Sequence, residues 1–135
     1  MRLQKASRYA LYAATELARD PNRQLSAAEI AAIYDISLNH LAKILRELGR
    51  AGMVEAVRGV GGGYRFIANP KRTSLYDIIE LFEEPAGEVS NSGLEGAKTP
   101  VGKSLIAVTT EIDLIAEATL RSISLATLLR DAEAA

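Results

Sequence analysis

Hydrogen-bonding side chains recur at helical spacing in one stretch of the sequence and could contact a nucleic acid. Asn39, Lys43, Arg46 and Arg50 fall on one face of a predicted helix, and His40 falls at the edge of that face. An Asn amide can pair with adenine through two hydrogen bonds, and Lys or Arg can donate to O6 and N7 of guanine. A solvated helix face that binds nothing is the alternative interpretation of such a stripe.

The helix that must present these side chains has clear start and stop signals. Ser37 can cap its first turn because a hydroxyl accepts a hydrogen bond from an otherwise unpaired N–H group, and we count Ser37 among the candidate DNA contacts. Gly52 follows as a left-handed stop. A helix with one basic face and one apolar face is typical of a recognition helix, whose first turn reaches base edges. The apolar side chains on the opposite face are Leu41, Ile44, Leu45 and Leu48.

A glycine-rich hairpin is predicted directly after this helix. Strands over 53–57 and 64–67 flank the sequence RGVGGG. Arg58 opens that tip, and a narrow A·T minor groove attracts an inserted Arg through its enhanced negative potential. Glycine lets backbone pass close to another surface. The candidate DNA contacts of this wing are Arg58, Gly59, Gly61 and Gly62.

Glycines next to cations are also found in nucleotide-binding loops, so nucleotide binding is an alternative function. We therefore compare the sequence with two known glycine-rich patterns. A dinucleotide-binding pattern that begins at Gly59 would need glycine where Tyr64 stands, and a strand follows it instead of a helix. A phosphate-binding loop that ends in the residues GKS at 102–104 would need glycine where Ala97 stands. Neither pattern is complete, so the sequence does not favour a phosphate loop.

The N-terminal segment supplies the other parts of a helix-turn-helix. A first helix is predicted over 3–19, and a capping box at 26–29 opens a second helix that ends near Tyr34. Helix, turn, capped helix and hairpin in this order predict a winged helix-turn-helix. The fold class is therefore mainly α with a small β-hairpin wing. Cations suited to phosphates stand at the start of the first helix, namely Arg2, Lys5 and Arg8.

The C-terminal segment is predicted to pair two copies of the chain. After a helix capped by Ser74 and ending near Phe82, residues 84–99 are predicted to form a flexible loop, and Thr99 with Pro100 opens a long helix. Apolar residues recur along that helix at spacings 4, 3, 4 and 3, which favours a dimer seam over the alternative of an ordinary core-packing helix. The seam residues are Val101, Leu105, Val108, Ile112 and Ile115.

Length and composition narrow the class of protein. A chain of 135 residues fits one compact unit, which we divide at 1–83, 84–99 and 100–135, with a last short helix at 123–130. The absence of cysteine excludes disulfides and thiolate metal sites, and no apolar run approaches the about 18 residues of a membrane span. A cytoplasmic location is the default expectation. No constellation of catalytic side chains or metal ligands is present, so we do not expect an enzyme.

The charge of the chain is distributed unevenly. Residues 1–72 hold 12 Lys and Arg against 6 Asp and Glu, whereas residues 73–135 hold 4 against 11. The formal net charge of −1 therefore conceals a basic N-terminal part and an acidic C-terminal part. Such asymmetry indicates that the N-terminal part faces a polyanion.

Several stretches together resemble the BadM/Rrf-type winged-helix transcriptional regulators, which include iron–sulfur-cluster regulators and nitric-oxide-sensitive repressors. The resemblance covers nearly the whole chain. It implies a dimeric regulator with Asn39, His40 and Lys43 in the major groove and Arg58 in the minor groove. The stretches that carry it are MRLQKASRYAL, ISLNHLAKILRELGRAGMVEAVRG, VGGGYRF, SLYDIIELFEEP and ISLATLL.

One departure from the family pattern concerns its sensor. Members that bind an iron–sulfur cluster carry three cysteines in the loop that matches 84–99 and its flank, where this sequence has Asn91, Ala97 and Lys103. Positions that supply a further ligand in the family match Ile106 and Arg8 here. We therefore expect no cofactor. The expected function is a homodimeric, sequence-specific repressor of a palindromic operator, controlled by an unknown small-molecule or protein effector, and the alternative is an interaction module that keeps the fold without reading DNA.

Overall fold

The computed structural model describes residues 2–83 and 93–134 of the chain. It has the predicted architecture, a mainly helical winged helix-turn-helix with a two-stranded antiparallel hairpin and a long C-terminal helix. Residues 84–92, the first part of the predicted loop, lie outside the described residues. The elements are α1 Lys5–Ala18, α2 Ala27–Tyr34, α3 Leu38–Arg50, β1 Val54–Val57, β2 Gly63–Phe66, α4 Leu75–Ile79, α5 Pro100–Arg121 and α6 Leu125–Ala134.

The first two helices are stabilised by local features of the sequence, which are alanine-rich composition in α1 and a capping box in α2. Alanine-rich α1 buries most of its length in the core and is slightly shorter than the predicted 3–19. At the start of α2 the Glu29 N–H donates to Ser26 Oγ at 3.1 Å, and the Ser26 N–H donates to Glu29 Oε1 at 3.2 Å. This reciprocal pair is the predicted capping box. Asp35 ends α2 in the left-handed region at φ 53° and turns the chain towards α3.

Helix α3 forms the second half of the helix-turn-helix as predicted. The Ser37 hydroxyl accepts a hydrogen bond from the His40 N–H at 3.3 Å. Gly52, at φ 77°, turns the chain just after the helix ends. Leu38 in the first turn of α3 is 47% exposed, but the apolar side chains predicted to face inward all lie in the core at 2% exposure or less. Their burial turns the opposite face towards solvent; they are Leu41, Ile44, Leu45 and Leu48.

The strands of the hairpin differ by one residue from the predicted ones, since β1 begins at Val54 and β2 ends at Phe66. A third segment also pairs with the hairpin. Val54 pairs with Phe66 and Val57 with Gly63, so Met53 and Ile67 of the predicted strands lie just outside the ladder. The Leu25 N–H donates to the Tyr64 carbonyl at 3.1 Å, and the Tyr64 N–H donates back to Leu25 at 2.7 Å. This bridge joins the base of the wing to the segment before α2.

The C-terminal helices differ from the prediction at their ends. Helix α4 is regular only to Ile79, and turns continue the chain to Phe82, where the sequence pattern predicted more helix. Helix α6 continues to Ala134 instead of ending at 130. Backbone hydrogen bonds from the Leu75 N–H to Ile123 at 2.8 Å and from the Leu125 N–H to Thr73 at 2.9 Å dock this end of the chain on the body.

Helix α5 begins as predicted, with the Thr99 hydroxyl accepting from the Gly102 N–H at 3.0 Å. None of its residues is buried, although every residue of Pro100–Arg121 is described. The seam residues Val101, Leu105, Val108, Ile112 and Ile115 are between 55% and 79% exposed. The seam residues therefore do not pack in the core of one copy of the chain, whereas Leu120 near the end of α5 packs against that core. The pairing of two copies through the seam stays a prediction. No helix in the described ranges combines the length and apolarity needed to span a bilayer.

Candidate nucleic-acid interface

The outward face of α3 carries three polar side chains that are open to solvent in its first turns. Asn39, Lys43 and Arg46 are exposed, and the described ion pairs include neither Lys43 nor Arg46. Arg50 differs from them, because its Nη1 lies 2.6 Å from Glu47 Oε1. Burial of the opposite face fixes which side of α3 these groups occupy. The positive charge available to a ligand is therefore concentrated in the N-terminal two-thirds of α3.

His40 lies at the edge of the outward polar face of α3, the reading face that carries Asn39, Lys43 and Arg46, and next to the core-packed helix α1. Its imidazole is half-buried, and its centroid lies 5.2 Å from that of the Tyr9 ring at an interplanar angle of 63°. This edge-to-face arrangement is the preferred geometry of an aromatic pair. The first turn of α3 is therefore held against α1, a contact that helical periodicity alone did not predict.

The cations at the start of α1 gather around the same tyrosine. Lys5 Nζ lies 5.6 Å and Arg8 Cζ 5.8 Å from the centroid of the Tyr9 ring. Arg2 precedes the helix and is exposed. Sequence reasoning found the three cations but not Tyr9. The sequence signal was the spacing of four residues between Lys5 and Tyr9, which places both on one face of a helix. The adjacent Arg8 gives no such signal.

The tip of the wing presents Arg58 to solvent. Arg58 is exposed and belongs to none of the described ion pairs, whereas Arg65 on β2 is paired with Glu55 on β1. Gly59 at φ 106° and Gly61 at φ 75° adopt the left-handed conformations that form the turn. The wing therefore offers one solvent-facing guanidinium at the end of a short hairpin.

Two other wing glycines are needed for contacts within the chain. A Cβ atom at Gly62 would lie 2.4 Å from the Val57 carbonyl oxygen, and one at Gly63 would lie 2.4 Å from the Leu25 carbonyl oxygen. At both positions the closely approaching surface is this chain's own backbone. A contact between Gly62 and DNA stays a prediction.

A polar network fixes α2 against α1 behind the reading face. The Tyr34 hydroxyl donates to Glu16 Oε1 at 2.9 Å, and Arg23 Nη2 donates to Glu16 Oε2 at 3.1 Å. The Tyr12 and Tyr34 rings are stacked with centroids 4.7 Å apart. Burial, and then the hydrogen bond to Glu16, raise the pKa of Tyr34 to about 12. Sequence reasoning missed this network because its members are far apart in the chain.

The residues at the family's cluster positions do not fit an iron–sulfur cluster. The chain has no cysteine, so thiolate ligation is chemically impossible. Lys103 is an exposed ammonium and Ala97 and Ile106 have no donor atom, while Asn91 lies outside the described residues. Within 2–83 and 93–134, no three His, Cys, Asp or Glu side chains are grouped so that they could hold a metal ion.

Comparison with known proteins identifies a family that shares both the sequence and the architecture. A family model described as an iron-dependent transcriptional regulator, Rrf2, matches residues 3–131. A relative from Rhodopseudomonas palustris, named as the HTH-type transcriptional regulator BadM, is 52% identical over 130 residues, which are 96% of this chain and 82% of BadM. The match therefore includes the helix-turn-helix, the wing and the C-terminal helices together.

Solved structures of two regulators have the same fold. IscR from T. potens matches with a TM-score of 0.78 and 28% identity, covering 98% of this chain and 88% of IscR. CymR, described as the global cysteine regulator of B. subtilis, matches with a TM-score of 0.78 and 27% identity, covering 96% of this chain and 97% of CymR. Both alignments extend through α5 and α6, because each covers nearly all of the chain.

Proposed function

Because the chain belongs to the Rrf2 family of DNA-binding transcriptional regulators, we propose that it acts as a homodimeric repressor of a palindromic operator without an iron–sulfur cluster. The observation that carries the proposal is the solvent-facing polar side of α3 beside a wing whose Arg58 is also exposed. Such a helix and wing can enter adjacent grooves of one duplex. The family consists of transcriptional regulators, which are not enzymes.

The proposed DNA contacts fall into three groups. Asn39, His40, Lys43 and Arg46 contact base edges and phosphates in the major groove, and Arg58 contacts the minor groove. Gly59, Gly61 and Gly62 shape the tip that brings Arg58 to the groove. Further phosphate contacts come from the exposed cations at the α1 end and from both ends of α3. The members of this group are Arg2, Lys5, Arg8, Ser37 and Arg50.

The proposed partner of the α5 seam is a second copy of this chain. The seam leaves five large apolar side chains open to water along one helix, and spacings of 4, 3, 4 and 3 keep them in line. A symmetric partner helix would cover the same residues on both copies. Two reading heads related by a two-fold axis bind two half-sites of a palindrome, which supports the operator form that we propose.

Charge-neutralising variants test the DNA contacts. We first recover a preferred duplex by selection from random DNA and then measure affinity across salt concentrations for Lys43→Ala, Arg58→Ala and the α6 control Arg130→Ala. Each lost phosphate contact should flatten the slope of log K against log salt by about 0.9. A lost base contact should weaken specific binding by about 1–3 kcal/mol.

These measurements distinguish a DNA-binding regulator from an interaction module that keeps the fold without reading DNA. Arg130→Ala should bind as the wild type does, because Arg130 lines a pocket with Ala18 and Pro21, at the end of α1 opposite the proposed phosphate contacts. If Lys43→Ala and Arg58→Ala also bind the selected duplex as the wild type does at every salt concentration, these contacts are assigned wrongly. Failure to recover any competitor-resistant duplex would favour an interaction module.

A further inference from the structure

Tyr9 lies where three of the proposed DNA-contacting side chains meet. Its ring is 9% exposed. The Lys5 ammonium and the Arg8 guanidinium lie 5.6 and 5.8 Å from its centroid, and the His40 imidazole lies 5.2 Å away. Two of these groups belong to the start of α1 and the third to the first turn of α3. One buried ring therefore lies within 6 Å of two side chains that would contact phosphates and packs against the helix that would read bases.

We infer that Tyr9 is a positioning residue for DNA binding, which orders Lys5, Arg8 and His40 before the duplex arrives. This inference rests on the proposed function. Tyr9 need not touch DNA, because it acts through the three side chains around it. Its effect would be to place the α1 cations and the start of α3 in one fixed register relative to the phosphate backbone.

The physical basis is attraction between the cations and the face of the aromatic ring. A Lys or Arg within about 6 Å of a ring centroid is attracted by the ring quadrupole. Long side chains that are mobile before binding lose rotamer freedom when they are fixed on DNA, and this weakens binding by roughly twofold to tenfold per side chain. A ring that restricts two such side chains in the free protein reduces this loss. The ring keeps its position because it is part of the core beneath α1 and α3.

Two substitutions at the same position separate ring chemistry from burial. Tyr9→Leu keeps an apolar side chain in the core and removes the ring, whereas Tyr9→Phe keeps the ring. We expect Tyr9→Leu to weaken binding to the selected duplex about tenfold and Tyr9→Phe to change it less than about twofold. Thermal unfolding and oligomeric state are measured alongside, and affinities are compared between variants that remain folded.

A double-mutant cycle supplies a measurement that a purely structural role would not affect. In a Lys5→Ala/Arg8→Ala background the ring has no cations to hold, so Tyr9→Leu should weaken binding less than about threefold instead of about tenfold. Equal losses for Tyr9→Leu in both backgrounds, or equal losses for Tyr9→Phe and Tyr9→Leu, would show that Tyr9 serves only the core and would overturn the inference.

The wild-type protein offers a test that needs no substitution. His40 is the only histidine of the chain, so its imidazole resonances can be assigned without ambiguity. Nuclear Overhauser contacts between the Tyr9 and His40 rings should persist when the selected duplex is added. Their loss on binding would overturn the inference while leaving the proposed function intact. A wild-type protein that selects no duplex would overturn the proposed function itself, and with it the role of Tyr9.

Discussion

The guanidinium carbon of Arg121 lies 4.1 Å from the centroid of the Tyr76 ring, which joins the last turn of α5 to α4. Glu117 accepts hydrogen bonds from Arg121 Nε at 3.1 Å and from Nη2 at 2.9 Å. Burial, and then a hydrogen bond with Glu117, raise the pKa of Tyr76. This clamp, together with Leu120, which packs partly buried against the core, holds the last turn of α5 on the body.

Removal of the Tyr76 ring should therefore loosen α5 from the body. Tyr76→Leu keeps apolar bulk but removes the surface under Arg121 and the bond to Glu117, and we expect a loss of about 1–3 kcal/mol of unfolding free energy. Tyr76→Phe, which keeps the ring, should lose less. Urea unfolding measures both variants. A midpoint for Tyr76→Leu equal to that of the wild type would contradict a role for the clamp in stability.

A charge on the seam should separate the proposed dimer. Ile112→Asp places a carboxylate in the middle of the apolar row, where a partner helix would have to bury it without a counter-charge. Ala107→Asp adds the same charge to an exposed position away from the seam. Sedimentation velocity should report a monomer for Ile112→Asp and a dimer for Ala107→Asp. If Ile112→Asp sediments as the wild type does, the seam is not the interface.

Burial of Tyr34 and its hydrogen bond to Glu16 should make the folded protein less stable at alkaline pH. The folded protein holds the Tyr34 proton more tightly than the unfolded chain, since its pKa rises from 10.0 to about 12. This stabilisation is complete below pH 10 and disappears as the pH rises through about 12. We expect it to be about 1 kcal/mol, reduced by solvent at this half-exposed ring.

Unfolding free energies measured across that alkaline range test the Tyr34 assignment. The difference between wild type and Tyr34→Phe should narrow as the pH rises, because the wild type loses a bond that the variant never had. Tyr12→Phe is the matched control, since it keeps the stacked ring and leaves the hydrogen bond to Glu16 intact. Stability curves for wild type and Tyr34→Phe that stay parallel would be inconsistent with this assignment.

A methyl group at the base of the wing should displace the hairpin. Gly63→Ala would bring Cβ to 2.4 Å from the Leu25 carbonyl oxygen, and backbone on both sides has to move to relieve the clash. Overpacking of this kind destabilises by about 1–3 kcal/mol. Gly93→Ala is the control, because none of the described residues comes within 4 Å of its Cβ position.

The Gly63→Ala variant should also bind the selected duplex more weakly, since the clash moves the strand that supports Arg58. Thermal unfolding and duplex affinity are measured on the same samples. Gly93→Ala should match the wild type in both. A Gly63→Ala protein with unchanged stability and affinity would mean that the wing does not depend on its bridge to Leu25.

The chemistry of the cluster positions predicts a protein without iron. Without a thiolate in the chain, incubation with ferrous iron and sulfide under anaerobic conditions should leave no visible absorption band and no bound iron after gel filtration. IscR treated in parallel is the control for the procedure. Stoichiometric iron and sulfide retained by this protein would contradict the prediction and require oxygen or nitrogen ligands alone.

Local sequence patterns predicted the helices and strands, whereas the contacts that the sequence did not predict join residues far apart in the chain. The Ser26 capping box and the Ser37 cap are each contained in one helix turn, and the seam of α5 is a periodic pattern within one helix, so all three can be recognised in a single segment of the sequence. The Leu25–Tyr64 bridge is a single residue pair without alternation, and the Tyr9–His40 contact joins different helices. No periodicity can report either of them. The exposed positions of Asn39, Lys43 and Arg58 agree with the candidate interface, and their contact with DNA stays a prediction.

The exposed seam of α5 also bears on gene dosage. For the proposed dimer, assembly and operator binding are linked, so the amount of operator-competent species falls as the square of the monomer concentration when most chains are unpaired. Halving the supply of the chain then leaves about a quarter of the active species. A promoter under this control would respond to the synthesis and turnover of the regulator itself with a threshold, even where no small molecule intervenes.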